Sequence, residues 1–325
     1  MTTRLDRIHI PAATVRRRRR EGGRGALAFY GFVSPWLLGT AALTLFPVGY
    51  AVYLSFTNWN GLTPNLPWAG LANYREVLTS SDTLQSLEKT LLLVLVVVPT
   101  TVVGSLILAI MLDKKVRARI ALRTLIYIPA VVPPVAAALI WKVVFDKDSG
   151  AANRVLRIFG VDPISWLTGN NAFIVLCVVM LWGLGAGIII NLAALQNVPP
   201  EQLEAATMDG AGVVKTFRHV TLPAISPVLL FQTVLVTITT LQTFVPALLL
   251  SPISNSSVQV NIPDANRLYM VNVYEQFFAY SRYGYGSAMI VVFFVVILLM
   301  TVVIFRVLGR SVFYAVDPAE SRKEG

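Results

Sequence analysis

Apolar residues in this chain come in long runs, with the polar ones gathered between them. Six runs stand out: Ala26 to Phe56, Thr90 to Leu112, Thr124 to Trp141, Ala172 to Val198, Val220 to Asn266 and Gly284 to Phe305. About 20 apolar helical residues cross a bilayer core about 30 Å thick, so each run predicts a membrane span. The fifth is too long for one span and contains Pro252, Ser254, Asn255, Ser256 and Ser257. Its helix is expected to end near Leu250, with a polar loop after it. Read this way, the spans carry no Asp, Glu, Lys or Arg. They are punctuated by Pro35, Pro47, Pro99, Pro129, Pro133, Pro134 and Pro246. Proline removes a backbone donor and bends a helix, and bent helices surround cavities.

Composition agrees with this pattern. The 325 residues are 55% hydrophobic and 14% charged, against roughly 25% charged in soluble domains. The first run follows the basic stretch Arg16 to Arg20, but it exceeds the roughly 7 to 15 residues of a signal-peptide core and is read as a retained helix. Cys177 is the one cysteine, which excludes an intramolecular disulfide; a buried thiol inside the fourth span is the plain reading.

Six spans put both termini on one side, and Lys and Arg collect in cytoplasmic segments. The segments on the side of the N-terminus hold 19 Lys and Arg and the opposite segments hold 8. Both termini are therefore expected to be cytoplasmic. The net charge of +10 is expected to face anionic lipid and not nucleic acid. The expected organisation is a basic cytoplasmic tail over 1–25, an all-helical six-span domain over 26–310 with a cytoplasmic loop at about 197–222, and a cytoplasmic tail over 311–325.

That loop reads Asn197-Val-Pro-Pro-Glu-Gln-Leu-Glu-Ala-Ala-Thr-Met-Asp-Gly-Ala-Gly212. Prolines suit a first helical turn, Glu201 and Glu204 suit the positive end of the helix dipole, and Asp209-Gly210 breaks the helix. Ala205 and Ala206 present almost no side chain, so another protein's backbone could approach closely. An amphipathic helix lying on the membrane is the alternative, though Glu201, Gln202, Glu204 and Asp209 are poor neighbours for anionic headgroups.

The string Glu204-Ala205-Ala206, Asp209-Gly210-Ala211, Phe217, Val220, Leu222-Pro223 and Pro227 resembles the EAA loop of binding-protein-dependent ABC importer permeases. Val220 stands where isoleucine is usual. The resemblance runs from about Phe32 to Phe305 and is nearest to the carbohydrate branch, of maltose and glycerol-phosphate type. It is carried also by Tyr53 to Trp59, Gly70 to Tyr74, Arg123 to Phe145 and Tyr283 to Ala288. It implies a type I ABC importer permease fold in a bacterial or archaeal cell membrane. It also implies a second, similar permease, two ATPase subunits carrying ATP and Mg, and an extracytoplasmic binding protein. Glu204, Ala205, Ala206, Asp209, Gly210, Ala211, Phe217, Leu222 and Pro223 would form the ATPase-coupling loop. Two departures are Val213-Val214-Lys215, where Trp-Gln often precedes the aromatic, and Ser251-Pro252-Ile253-Ser254-Asn255, in place of a Gly-Gly-Pro turn. The second leaves the sugar unidentified.

Nothing in the chain supplies its own chemistry. Gly210 to Thr216 looks like a phosphate loop only at a glance, because Val214 stands before Lys215 and no strand is expected to precede it. The spans hold no cluster of acids, bases or metal ligands, so no enzyme, cofactor or metal site is expected in this chain. A proton-coupled carrier usually keeps a titratable group in the membrane. A sodium-coupled carrier using carbonyls and hydroxyls stays open, as does an ABC permease for another small solute such as glycerol phosphate.

The fifth span carries Gln232, Thr233, Thr237, Thr239, Thr240, Gln242 and Thr243. At about 100° per residue, all but Gln242 fall on one side. Uncharged amides and hydroxyls suit a neutral polyhydroxylated ligand, and Gln232, Thr233, Thr237 and Thr240 are candidate contacts. Interhelical bonding, or bonding back to the helix backbone, serves equally well. In the fourth span Trp182 and Asn191 stand beside Gly183, Gly185 and Gly187. This fits either a sugar-facing ring or close helix packing.

Overall fold

The computed structural model describes residues 29–113, 119–251 and 262–312. The expected tail over 1–25, the basic residues Lys114, Lys115 and Arg117, the turn from Pro252 to Asn255 and the tail from 313 onward lie outside them.

Among the described residues, four helices are long and apolar enough to cross a membrane, and two bent pairs raise the number to six if each pair is one span. The first, α1 (Phe29–Leu54), belongs to a unit of its own and leaves Phe32, Trp36, Leu43 and Phe46 exposed.

The remainder begins with the short helix α2 (Ala72–Thr79) and then α3 (Ser81–Asp113), 33 residues long. The sequence pattern starts this span at Thr90 because Glu88 and Lys89 interrupt the apolar run. The helix continues for two more turns, with Asp82 in its first turn where the dipole favours an anion. Thr90, Leu93, Val94, Val97, Val98, Ser105, Ala109 and Leu112 are buried at spacings of mostly three and four. This stripe makes α3 the centre of the bundle.

The third apolar run is not one straight span. It forms α4 (Arg119–Val131) and α5 (Pro134–Val144), and the two turn through 98°. Pro133 is extended (φ −56°, ψ 138°) and Pro134 opens α5, because a residue before proline avoids the helical region. After α6 (Ala151–Ile158), the fourth run also divides, into α7 (Asn171–Trp182) and α8 (Gly185–Gln196), bent by 42°. Lipid gives helices little hydrophobic reason to associate, so close contact depends on small residues. A Cβ at Gly185 would strike the backbone of Ile126 in α4, and one at Gly187 the amide of Gln232.

Then follow α9 (Pro200–Met208), α10 (Val213–Thr216), a π-helical turn (Phe217–Thr221) and α11 (Leu222–Leu241). α12 (Val245–Leu249) ends where the fifth span was expected to end. The last helices are α13 (Tyr269–Phe278) and α14 (Tyr283–Leu308).

Three separate sequence segments meet beyond the start of α3. Asn73, 4% exposed, donates from its amide to the carbonyls of Ser55 (2.9 Å) and Thr57 (2.8 Å). The Phe56 ring stacks on Trp68, and Trp59 packs on Tyr283, whose neighbour Gly284 donates to the Trp59 carbonyl at 3.1 Å. Arg282 grips both carboxylate oxygens of Glu76 and lies 4.2 Å over the Tyr285 ring.

Candidate functional site

The short helix α9 is where the proline and Asp-Gly signals place it. Pro199 is its cap and Pro200 its first residue, where a missing N–H leaves nothing unpaired. Of the two glutamates, only Glu201 falls in the first turn; Glu204 is a turn further on and exposed. The helix closes in a Schellman turn: Gly210 donates to Thr207 (3.0 Å), and Ala211 donates to Ala206 (2.9 Å). Gly210 takes φ +73°, the left-handed conformation this turn requires.

Beside α9 lies an open groove of about 960 Å³. Ala205, Ala206 and Asp209 line it on the α9 side, and His219, Val220 and Pro223 line it on the other. The two alanines keep it wide. Met208, Val213 and Val214 stand at the Gly210 turn with 88%, 86% and 79% of their surface exposed. These three side chains leave the turn apolar at its surface. Phe217, Leu222 and Pro223 are half-buried and root the loop in the start of α11. Val213–Leu249, interrupted only at Gln242 to Phe244, is one of the stretches long and apolar enough to cross a membrane.

A second cavity, about 770 Å³, opens near the other end of α11, within the 300 to 1,000 Å³ usual for ligand pockets. Trp182 and Gly183 reach it from the α7–α8 bend, Thr239, Gln242 and Thr243 from α11 and its end, and Phe244 from the break before α12. Among the described residues, no charged side chain is in its wall. Trp182 is held edge-on to Trp141, with ring centroids 5.7 Å apart.

The six substrate candidates therefore do not share one place. Trp182 lines the 770 Å³ cavity. Asn191 and Gln232 are buried at 0% and 2% exposure, and both donate their amides, at 2.9 Å, to Ser105 Oγ. Ser105 in turn donates to the Val102 carbonyl, so its hydroxyl is fully used. This knot ties α3, α8 and α11 together. The hydroxyls of Thr233 and Thr237 bond back to Leu229 and Thr233 at 2.7 Å, and Thr240 is buried. Gln242 falls outside the polar arc that the 100° step gives α11, so the sequence alone does not mark it. The helix ends at Leu241, so its 100° step stops there, and Gln242 turns into the cavity instead.

Over residues 101–314 the chain matches the family described as binding-protein-dependent transport system inner membrane component, and it belongs to that family. It is 34% identical to the probable ABC transporter permease protein YesP of Bacillus subtilis, over 92% of this chain and 94% of the relative. It is 30% identical to the multiple sugar-binding transport system permease protein MsmF of Streptococcus mutans, over 79% of this chain and 87% of the relative. The crystal structure of a bacterial ABC transporter involved in the import of the acidic polysaccharide alginate shares the fold. Its TM-score is 0.77 at 21% identity, covering 90% of this chain and 99% of that one. The chain is a membrane-embedded permease subunit.

Proposed function

We propose that this chain forms part of the path by which a neutral sugar or oligosaccharide, delivered by an extracytoplasmic binding protein, crosses the cell membrane of a bacterium or archaeon. The observation that carries the reading is the 770 Å³ cavity, where aromatic rings and uncharged Gln and Thr meet with no ionic side chain among the described residues of the wall. Sugars present apolar ring faces and many hydroxyls, and ask for such a surface. A polyanion would call for Lys or Arg along the path, and a cation for carboxylates. The carbohydrate relative MsmF supports the same class.

In this reading a second permease of the same kind completes the cavity. Two ATPase subunits carry the ATP and Mg, and this chain binds neither. One ATPase subunit covers α9 and the apolar side chains at the Gly210 turn. The termini face the cytoplasm with α9, tails over 1–25 and 311–325 flank the six-span domain over 26–310, and the loop over 197–222 is the coupling element. When the ATPases close, α9 is displaced. The helix from Val213 onward carries that displacement over about 43 Å to Gln242, at about 1.5 Å per residue, and the cavity changes its open side.

Uptake of labelled neutral sugars by cells with and without the gene tests the substrate class. Loss of neutral-sugar uptake is the expected result. Loss confined to charged solutes would contradict it.

A further inference from the structure

A third cavity, about 520 Å³, runs between α3 and α11 on the side of the bundle that carries α9. Its wall is formed by Val98, Pro99, Val102 and Val103 of α3 and by the stripe Leu222, Ser226, Leu229, Leu230 and Thr233 of α11, with Leu308 and Val312 from the end of α14. Arg218, exposed, is the only charged residue in the wall among the described residues.

The polar atoms of this wall ask for almost nothing. Ser226 Oγ donates to the Pro223 carbonyl and Thr233 Oγ1 to the Leu229 carbonyl, each at 2.7 Å. Hydroxyls bonded back to their helix leave an apolar surface to whatever fills the slot. Arg218 to Thr233 extends over about 22 Å of helix, more than the depth of one leaflet's hydrocarbon, about 15 Å. The slot is thus long, apolar and cationic at the end where lipid headgroups lie.

We infer that this groove binds an anionic phospholipid of the leaflet nearest α9, with an acyl chain along α3 and α11 and the phosphate on Arg218. Charge and length both select this occupant. A zwitterionic lipid would bring its own cation beside Arg218. Because Arg218 stands in the π-helical turn between the coupling loop and α11, the lipid sits at the joint through which the loop moves the bundle.

The test uses the full transporter complex purified from membranes, exchanged into vesicles of phosphatidylcholine with or without phosphatidylglycerol, and read by native mass spectrometry for retained lipid. Phosphatidylglycerol is expected to be retained in preference to phosphatidylcholine. Arg218→Gln should reduce that preference about fivefold, the equivalent of ~1 kcal/mol for one basic residue at an anionic headgroup, and Arg218→Lys should keep most of it. Leu229→Trp, which fills the slot, should abolish retention. A phosphatidylglycerol with a photoreactive acyl chain should label the peptides bearing Val98 to Val103 or Leu222 to Thr233. Equal retention by wild type, Arg218→Gln and Leu229→Trp would overturn the inference. So would retention that appears only after residues 313–325 or the second permease are removed, since either would then be the occupant. Lipid retention is read without transport, so the result stands apart from the substrate class.

Discussion

Ala211 donates its backbone N–H to the carbonyl of Ala206 at 2.9 Å, across a Gly210 held at φ +73°. This single turn sets the direction in which the chain leaves α9. Among the described residues, none beyond its chain neighbours would come within 4 Å of a Cβ at Gly210, so the demand for glycine there comes from the backbone alone. Left-handed backbone costs an ordinary residue about 1–2 kcal/mol and is tolerated by Asn. Gly210→Val is therefore predicted to lose most transport and to expose the loop to protease. Gly210→Asn should keep transport within about twofold of wild type, since Asn pays little of that strain. Equal behaviour of the two variants would show that the turn does not matter.

The knot at Ser105 predicts a stability effect. Ser105→Ala leaves the buried amides of Asn191 and Gln232 without their acceptor. Interhelical hydrogen bonds in membranes contribute about 0.6–2 kcal/mol each, so the detergent-solubilised complex should unfold at lower temperature. Gly187→Ala should be worse, because its Cβ would strike both the Gln232 amide and Ser105. Unchanged melting of Ser105→Ala would mean that the knot contributes nothing.

Much of this fold was legible in the sequence, and the reasons differ from element to element. Apolar run length located the spans, and Pro199, Pro200 and Asp209-Gly210 marked the ends of α9. Pro133-Pro134 predicts a bend within one span, not two helices: the 98° turn depends on how α4 and α5 pack, which no local signal contains. The substrate candidates were the least legible. The 100° rule gave a polar side to α11 without saying that Gln232 would meet Ser105, 127 residues away. It could not show that threonine hydroxyls would turn to their own backbone. Only a contact between distant segments distinguishes a polar residue that faces a cavity from one that joins helices.

The cluster beyond α3 separates two kinds of polar contact. Asn73→Ala removes two hydrogen bonds from a buried amide, and about 2 kcal/mol of stability is expected to go with them. Glu76→Gln breaks the pair with Arg282, whose side chains are 46% and 42% exposed. Solvent screens such a pair, so under ~1 kcal/mol is expected. Thermal unfolding of both variants checks the order, and a larger loss for Glu76→Gln would reverse the reasoning.

For the transported ligand, Trp182 and Thr237 make opposite predictions. Trp182 lines the 770 Å³ cavity, and Trp182→Ala should raise the half-saturating sugar concentration about tenfold, as loss of ~1.4 kcal/mol of ring contact would do. Thr237 is buried with its hydroxyl on the Thr233 carbonyl, so Thr237→Val should leave that concentration unchanged. Concentration-dependent uptake by each variant decides the matter. A large effect of Thr237→Val with none of Trp182→Ala would move the path away from this cavity.

In the proposed function, α9 is where another subunit's ATP hydrolysis reaches this chain. Ala205 is exposed on that helix, and the one native cysteine, Cys177, is buried in α7. Ala205→Cys therefore gives this chain a single exposed thiol for site-directed crosslinking in the assembled transporter. A crosslink between Cys at this position and the ATPase subunit is expected, with a yield that changes when ATP closes the ATPase pair. A crosslink to lipid alone, or none to the ATPase in either state, would contradict it.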